Sequence, residues 1–160
     1  MLEGGEDPLF LARRLVRMAS EDIGLADPTA LMICGEAART YERLGSPEGE
    51  LALAQAVIHL ATAPKSNAAY TAYKAARKAA RDTGSLMPPK HILNAPTEMM
   101  KDQGYGKGYA YDHDTEHGFS GQNYFPDDMN RQSFYTPKGE GREKGIAERL
   151  AWWAKIREGR

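Results

Sequence analysis

The sequence holds a single cysteine, Cys34, in 160 residues. One cysteine forms no internal disulfide, and this sparing use fits a reducing compartment. Cys34 falls on the apolar side of a helical pattern and reads as an inert core thiol. The chain also lacks a dominant charge: 21 Lys and Arg stand against 22 Asp and Glu, for a net charge of −1. That balance excludes a globally basic nucleic-acid binder but leaves room for one basic face. The longest apolar run, residues 51–63, is too short and too interrupted to span a bilayer. The opening MLEGGEDPLF carries no basic lead before an apolar core, so no secretory signal is expected, and the chain is read as cytoplasmic. No serine sits in a nucleophile elbow and Cys34 has no base partner in sequence, so no catalytic residue is assigned.

What the sequence has is helix punctuation. Four helix starts carry a side-chain acceptor at the cap: Asp7-Pro8, Asp27-Pro28, Ser46-Pro47 and Ser66-Asn67. Proline at the first helical position costs nothing, because its missing N–H would be unsatisfied there anyway. Helices are therefore predicted over 8 to about 20, 28–44, a run centred on 51–63, and 67–83, with Gly24, Gly45 and Gly84 as stops. The first should turn Phe10, Leu11, Leu15, Met18 and Ala19 inward, and the second Leu31, Ile33, Cys34, Ala37, Ala38, Tyr41 and Leu44.

The third is apolar nearly all round, broken only by Gln55, His59 and Thr62, and should be enclosed by neighbours. His59 reads as a hydrogen-bonded core histidine. The fourth divides into a packing side of Ala68, Ala69, Ala72, Ala75, Ala76, Ala79 and Ala80 and a polar side of Tyr70, Lys74, Arg77, Lys78 and Arg81.

Beyond Gly84, Pro88-Pro89 and Pro96 forbid a long helix. A turn at 90–93, a short helix at 98–103 capped by Thr97, and a last helix from 142 to about 157 with Ile146, Leu150, Trp153 and Ile156 as its apolar stripe are expected. Between them, 104–141 has no regular period but is dense in glycine and aromatics: Tyr105, Tyr109, Tyr111, Phe119, Tyr124, Phe125, Phe134 and Tyr135. Disordered segments are poor in aromatics, so this stretch is predicted to be an irregular arm draped over helices or over a second subunit. The fold class is all-α, an array of about five to six helices. The division is one domain of 1–160, with a helical core at 1–103, the arm at 104–141 and a terminal helix at 142–160.

Three chemical readings follow. The run Gly104-Tyr105-Gly106-Lys107-Gly108-Tyr109 lacks the spacing and the strand of a phosphate loop and reads as a glycine-permitted turn. Asp112, His113, Asp114, Glu116 and His117 fit neither a calcium-loop register nor a zinc pattern, so no metal site is assigned. The polar side of the fourth helix can neutralise phosphates, and Tyr70 could stack on a base, giving a candidate DNA or partner face.

The stretches EDPLFLARRLVRMASEDIGLADP (6–28), EGELALAQAVIHLATAPKSNAAYTAYKAA (48–76) and NAPTEMMKDQGYGKGYAY (94–111) resemble the C-terminal region of the RarA/MgsA-type AAA+ ATPases. This replication-associated recombination family includes the eukaryotic Werner-helicase-interacting ATPase. The likeness fades beyond about residue 127. It implies a clamp-loader-like, homotetrameric parent ATPase acting at stalled forks in the nucleoid, in contact with DNA and single-strand-binding protein. It further implies that ATP and magnesium belong to an upstream module, and that this stretch is a non-catalytic oligomerisation domain without a cofactor of its own. On that reading the expected subunit contact is made by Tyr105, Tyr109, Tyr111, Phe119, Tyr124, Phe125, Phe134, Tyr135 and Trp153, with no membrane partner. A nucleic-acid-binding module built on the fourth helix is the alternative.

Overall fold

Side-chain acceptors and prolines set where the helices begin. In the computed structural model, which describes residues 1–159, the α-helices are α1 Pro8–Met18, α2 Thr29–Leu44, α3 Glu48–Thr62, α4 Ala68–Thr83, α5 Glu98–Asp102 and α6 Glu143–Glu158. A 3-10 turn at Lys90–Ile92 occupies the turn predicted there, and no strand occurs among the described residues. The protein is all-α.

Caps follow the sequence in four of five cases. Asp7 accepts from Leu9 N at 2.9 Å, Asp27 from Thr29 N at 3.0 Å, Ser66 from Ala68 N at 3.2 Å and Thr97 from Met100 N at 3.3 Å. Ser46 is the exception. Its hydroxyl meets Tyr41 Oη at 3.1 Å, and α3 starts after a cis Ser46–Pro47 bond with no side-chain cap. Here Gly49 sits against Tyr41, where a Cβ would come within 2.8 Å of the Tyr41 Cα.

Contacts divide the chain into two units. The first comprises Met1–Ala75 and Phe134–Ala147, the second Ala76–Ser133 and the described residues from Glu148 on.

In the first unit α1, α2 and α3 pack together around mostly small side chains: Ala12, Leu15, Ala19, Ile23, Ala30, Cys34, Ala37, Leu53, Ala56 and Leu60. Small residues let helix backbones approach closely, so the core is tight but narrow. Cys34 is 1% exposed, and burial pushes its thiol pKa up, which leaves it unreactive. A narrow core also leaves large side chains outside it. Phe10, Met18, Leu31 and Leu44, expected inside, are 38%, 42%, 47% and 58% exposed.

α1 continues as a π-turn over Ala19–Ile23 that keeps Ala19 and Ile23 buried and ends at Gly24, φ 53°. Only glycine suits this position, because a Cβ would also lie 2.9 Å from Ser66 O. The following corner is tied from several directions. Ser66 N donates to Asp22 O at 2.8 Å and Arg142 N to Ala26 O at 2.9 Å. The Asp27 carboxylate uses Oδ1 to cap α2, accepting from both the N–H and the hydroxyl of Thr29, and places Oδ2 2.9 Å from His59 Nε2 of α3. Lys65 Nζ closes the end of α3 by donating to Leu60 O at 2.6 Å and Ala63 O at 2.7 Å.

Residues 134–147 return to this corner. Glu143, at the start of α6, is completely buried. Its Oε1 accepts from Tyr135 Oη at 2.8 Å and its Oε2 from Lys138 N at 2.8 Å, so both oxygens are satisfied. Burial, and then Glu143 itself, push the Tyr135 phenol up to about 12, so it remains a donor across the physiological range. Gly141 (φ 51°) passes where a Cβ would stand 2.2 Å from Ala26 O and 2.7 Å from Pro64 Cγ.

On α4 only Ala68 is buried, while Ala69, Ala72, Ala76 and Ala79 are half-buried and Ala75 and Ala80 exposed. Seven alanines cover more of the helix circumference than a contact strip does, and the two at its edges stay in solvent.

Two measurements test this description. Gly141→Ala should cost more than about 2 kcal/mol in urea unfolding, from its left-handed backbone and the steric block together. Gly139→Ala, at φ 77° but in open space, should lose only about 1 kcal/mol. Equal losses would show that residue 141 is not pinned against Ala26. The second concerns acid. Thr29 foremost, with help from His59, outweighs burial and holds the Asp27 carboxyl below its usual pKa. Its stabilisation is therefore complete above about pH 4, the ordinary carboxylate value, and fades as pH falls through the lower folded value. The thermal midpoint of Asp27→Asn should fall less steeply than wild type between about pH 4 and pH 2. Parallel curves would remove Asp27 from the account.

Candidate functional site

Helical spacing puts Leu51, Ala54, Ile58 and Ala61 of α3 on one side and Gly49, Leu53, Ala56 and Leu60 on the other. The second set is buried against the core. The first faces out: Leu51 is 66% and Ile58 64% exposed, with Val57 beside them at 50%. The enclosure expected for this helix is thus absent within the first unit among the described residues. Single exposed apolar residues are ordinary, but a contiguous apolar helix side marks a place where something else binds. Next to it, Met1, Leu2, Phe10, Leu11, Met18 and Val57 line a cavity of about 630 Å³, with Arg14, Glu3 and Glu50 as its charged members.

The polar side of α4 is exposed along its length, at Tyr70, Lys74, Arg77, Lys78 and Arg81. Lys74 Nζ lies 5.3 Å from the centre of the Tyr70 ring, a cation–π contact, and Lys78 pairs with Asp82 of the same helix at 2.6 Å. The five residues share one face, as their spacing requires. Part of their charge is already engaged by the helix itself.

In the second unit the glycine-rich run is a series of turns. Gly104, Gly106 and Gly108 all have φ between 72° and 85°. The backbone N–H groups of Gly104, Tyr105, Gly106, Lys107 and Tyr109 donate to Lys101, Met100, Lys90, Gly104 and Gly106 carbonyls. A phosphate cradle needs such N–H groups unengaged, and here backbone carbonyls engage them.

The aromatics expected at a subunit contact divide by use. Phe119 stacks on Trp153 at 5.0 Å with the Arg157 guanidinium 4.9 Å from its ring centre. Burial, then the nearby Arg131, hold the Arg157 pKa below its usual value. Tyr105, Phe125, Phe134 and Tyr135 are half-buried. Tyr109, Tyr111 and Tyr124 remain 50%, 52% and 46% exposed. Of the α6 stripe, Ile146, Leu150, Trp153 and Ile156 are all half-buried.

The acidic-histidine run folds as a self-capped loop. Asp112 Oδ1 accepts from Ser120 N at 2.7 Å, and Ser120 holds the Asp112 pKa below its usual value. Thr115 Oγ1 donates to Asp112 O at 2.6 Å and accepts from Phe119 N at 2.8 Å. His113 lies against Tyr111 and His117 against Trp152. Among the described residues no group of three or more His, Cys, Asp or Glu is placed to hold a metal ion. Nor is any helix long and apolar enough to cross a membrane.

Sequence reasoning missed two positions. Glu143 stands in phase with the apolar stripe Ile146, Leu150 and Trp153, and an acid in phase with such a stripe signals a buried, paired carboxylate. Gln122 gave no such signal. Its side chain donates to Gly108 O at 2.7 Å and accepts from Ala110 N at 3.0 Å, gripping the backbone on both sides of Tyr109.

Comparison with known proteins bears on what these surfaces serve. The family model for the MgsA AAA+ ATPase C terminal matches residues 1–154 and so extends past residue 127. The chain is 50% identical over 159 residues to Replication-associated recombination protein A of Coxiella burnetii, covering 99% of this chain and 36% of that protein. It is 46% identical over 155 residues to the protein of the same name from Escherichia coli K12, covering 96% and 35%. It is 41% identical over 143 residues to ATPase WRNIP1 of Dictyostelium discoideum, covering 86% and 16%. The chain spans about a third or less of the length of these relatives. With the family model matched along nearly all of its length, the chain belongs to the MgsA AAA+ ATPase C-terminal family.

Proposed function

We propose that this domain joins copies of its parent AAA+ ATPase, four of them as the sequence resemblance implies, and has no catalytic step of its own. The observation that carries this reading is the open apolar side of α3, with Leu51 and Ile58 about two-thirds exposed. Covering a leucine or isoleucine contributes roughly 1.5–3 kcal/mol, so a row of such residues left in water is a large unused driving force. A second copy supplies the same apolar surface at the same concentration, and self-association meets the need without a further partner. The cavity beside α3 extends this surface with Phe10, Leu11 and Met18.

In this reading ATP and magnesium are bound by the AAA+ portion of the whole protein. DNA and single-strand-binding protein are contacts of the assembly in replication-associated recombination, in the nucleoid-containing cytoplasm. The domain would act as a collar, holding ATPase modules so that their motions act together, as in clamp loaders. Assembly rests on α3 first, and the exposed Tyr111 is left for a lesser contact.

Light scattering coupled to size exclusion checks the proposal. The wild-type chain should elute as a tetramer at micromolar concentration. The double variant Leu51→Glu with Ile58→Glu should be monomeric with unchanged helical circular dichroism, its association weakened at least about a hundredfold. A wild-type monomer, or a double variant that still assembles, would overturn the reading.

A further inference from the structure

The second unit contains a cavity of about 500 Å³ whose lining includes His91, Ile92, Asn94, Gly106, Tyr109 and Tyr124. That size falls in the range of small-ligand sites. Its chemistry differs from that of the apolar cavity in the first unit. No carboxylate lines it, whereas Glu3 and Glu50 line the other.

Three features point to one kind of occupant. Tyr109 and Tyr124, both lining the cavity, are each about half exposed, which leaves ring surface for a further planar group. His91 lines the same cavity and stands beside Tyr124 with ring centres 6.0 Å apart. The Asn94 amide, exposed at the same cavity, offers both a donor and an acceptor.

The aromatic platform is also fixed in place. Gln122 grips Gly108 O and Ala110 N on either side of Tyr109. Two residues on, Tyr124 Oη meets Ser120 Oγ at 3.1 Å. One short segment, 120–124, therefore positions both rings, and rigid aromatics bind with little further loss of freedom.

From this geometry we propose that the cavity binds a single unstacked nucleobase, with Tyr109 and Tyr124 as the stacking faces and His91 and Asn94 lining the base edge. Gln122 is a positioning residue. The site is separate from the basic face of α4 and does not rest on self-assembly. It also gives the turns at Gly104, Gly106 and Gly108 a role: they bring Tyr109 to the cavity, although they do not cradle a phosphate.

Titration of a fluorescein-labelled oligothymidylate against the whole chain at low salt tests the site. Wild type should bind, and Tyr109→Ala and Tyr124→Ala should each weaken binding about tenfold, the usual effect of losing one stacking ring. Tyr109→Phe should retain near-wild-type affinity, because it keeps the ring face, and so guards against a folding artefact. Gln122→Ala should weaken binding with both tyrosines intact. The Leu51→Glu and Ile58→Glu double variant should bind as wild type, which separates this site from the assembly surface. Competition by free thymidine monophosphate would assign the site to a mononucleotide, and its absence to a base within a strand; either supports a base site. The proposal is overturned if wild type does not bind, if the tyrosine variants bind as well as wild type, if binding is lost only on Lys74→Glu with Arg77→Glu, or if Tyr109→Ala acts by changing the oligomeric state.

Discussion

The corner at Ala26 and Asp27 joins three things that would otherwise be independent. One oxygen of the Asp27 carboxylate starts α2 by capping Thr29, and the other meets His59 of α3. The residue just before it, Ala26, receives the returning chain through Arg142. The whole first unit depends on this crowded corner. Gly24 must pass Ser66 and Gly141 must pass Ala26 and Pro64 at separations that admit no side chain. Of these residues, Gly24, Ala26 and Asp27 lie in the segment IGLADP and Pro64 and Ser66 in TAPKSN, within the stretches that carry the family likeness, whereas Gly141 and Arg142 lie outside them.

A corner held by hydrogen bonds and close backbone contact allows a core of small residues. Ala12, Ala19, Ala30, Ala37 and Ala56 bring α1, α2 and α3 together, and the larger apolar residues of those helices are displaced outward. The open side of α3 follows from the same geometry. A helix apolar nearly all round, packed through a narrow strip, has apolar surface left over. Close internal packing and an adhesive exterior are two aspects of one arrangement.

This also explains what could be read from the sequence. The helices were legible because proline, cap residues and stop glycines act locally, and their bounds fall within a few residues of those predicted, for example Thr29–Leu44 against 28–44. Ser46 was misleading because its hydroxyl had a nearer use at Tyr41. The burial of α3 was misjudged for a different reason: periodicity shows that a side needs covering, but not whether its own chain provides the cover. The return of residues 134–147 was hidden because it depends on a glycine passing another backbone and on a buried glutamate, and neither leaves a periodic trace. The cavity of the second unit was invisible for a similar reason. Tyr109 and Tyr124 were noticed as aromatics, but the grip of Gln122 on the backbone around Tyr109 involves residues more than ten positions apart.

The two surfaces ask for different occupants. Leu51, Val57 and Ile58 are apolar and flexible in what they accept, whereas Tyr109 and Tyr124 are fixed rings with polar groups beside them. The central claim, that the open side of α3 is covered by another copy, is tested most directly by hydroxyl-radical footprinting of the wild-type chain across a dilution series. Oxidation at Leu51, Val57 and Ile58 should be strongly suppressed at high concentration and rise as the assembly dissociates on dilution. Equal oxidation of these residues at every concentration would contradict the account.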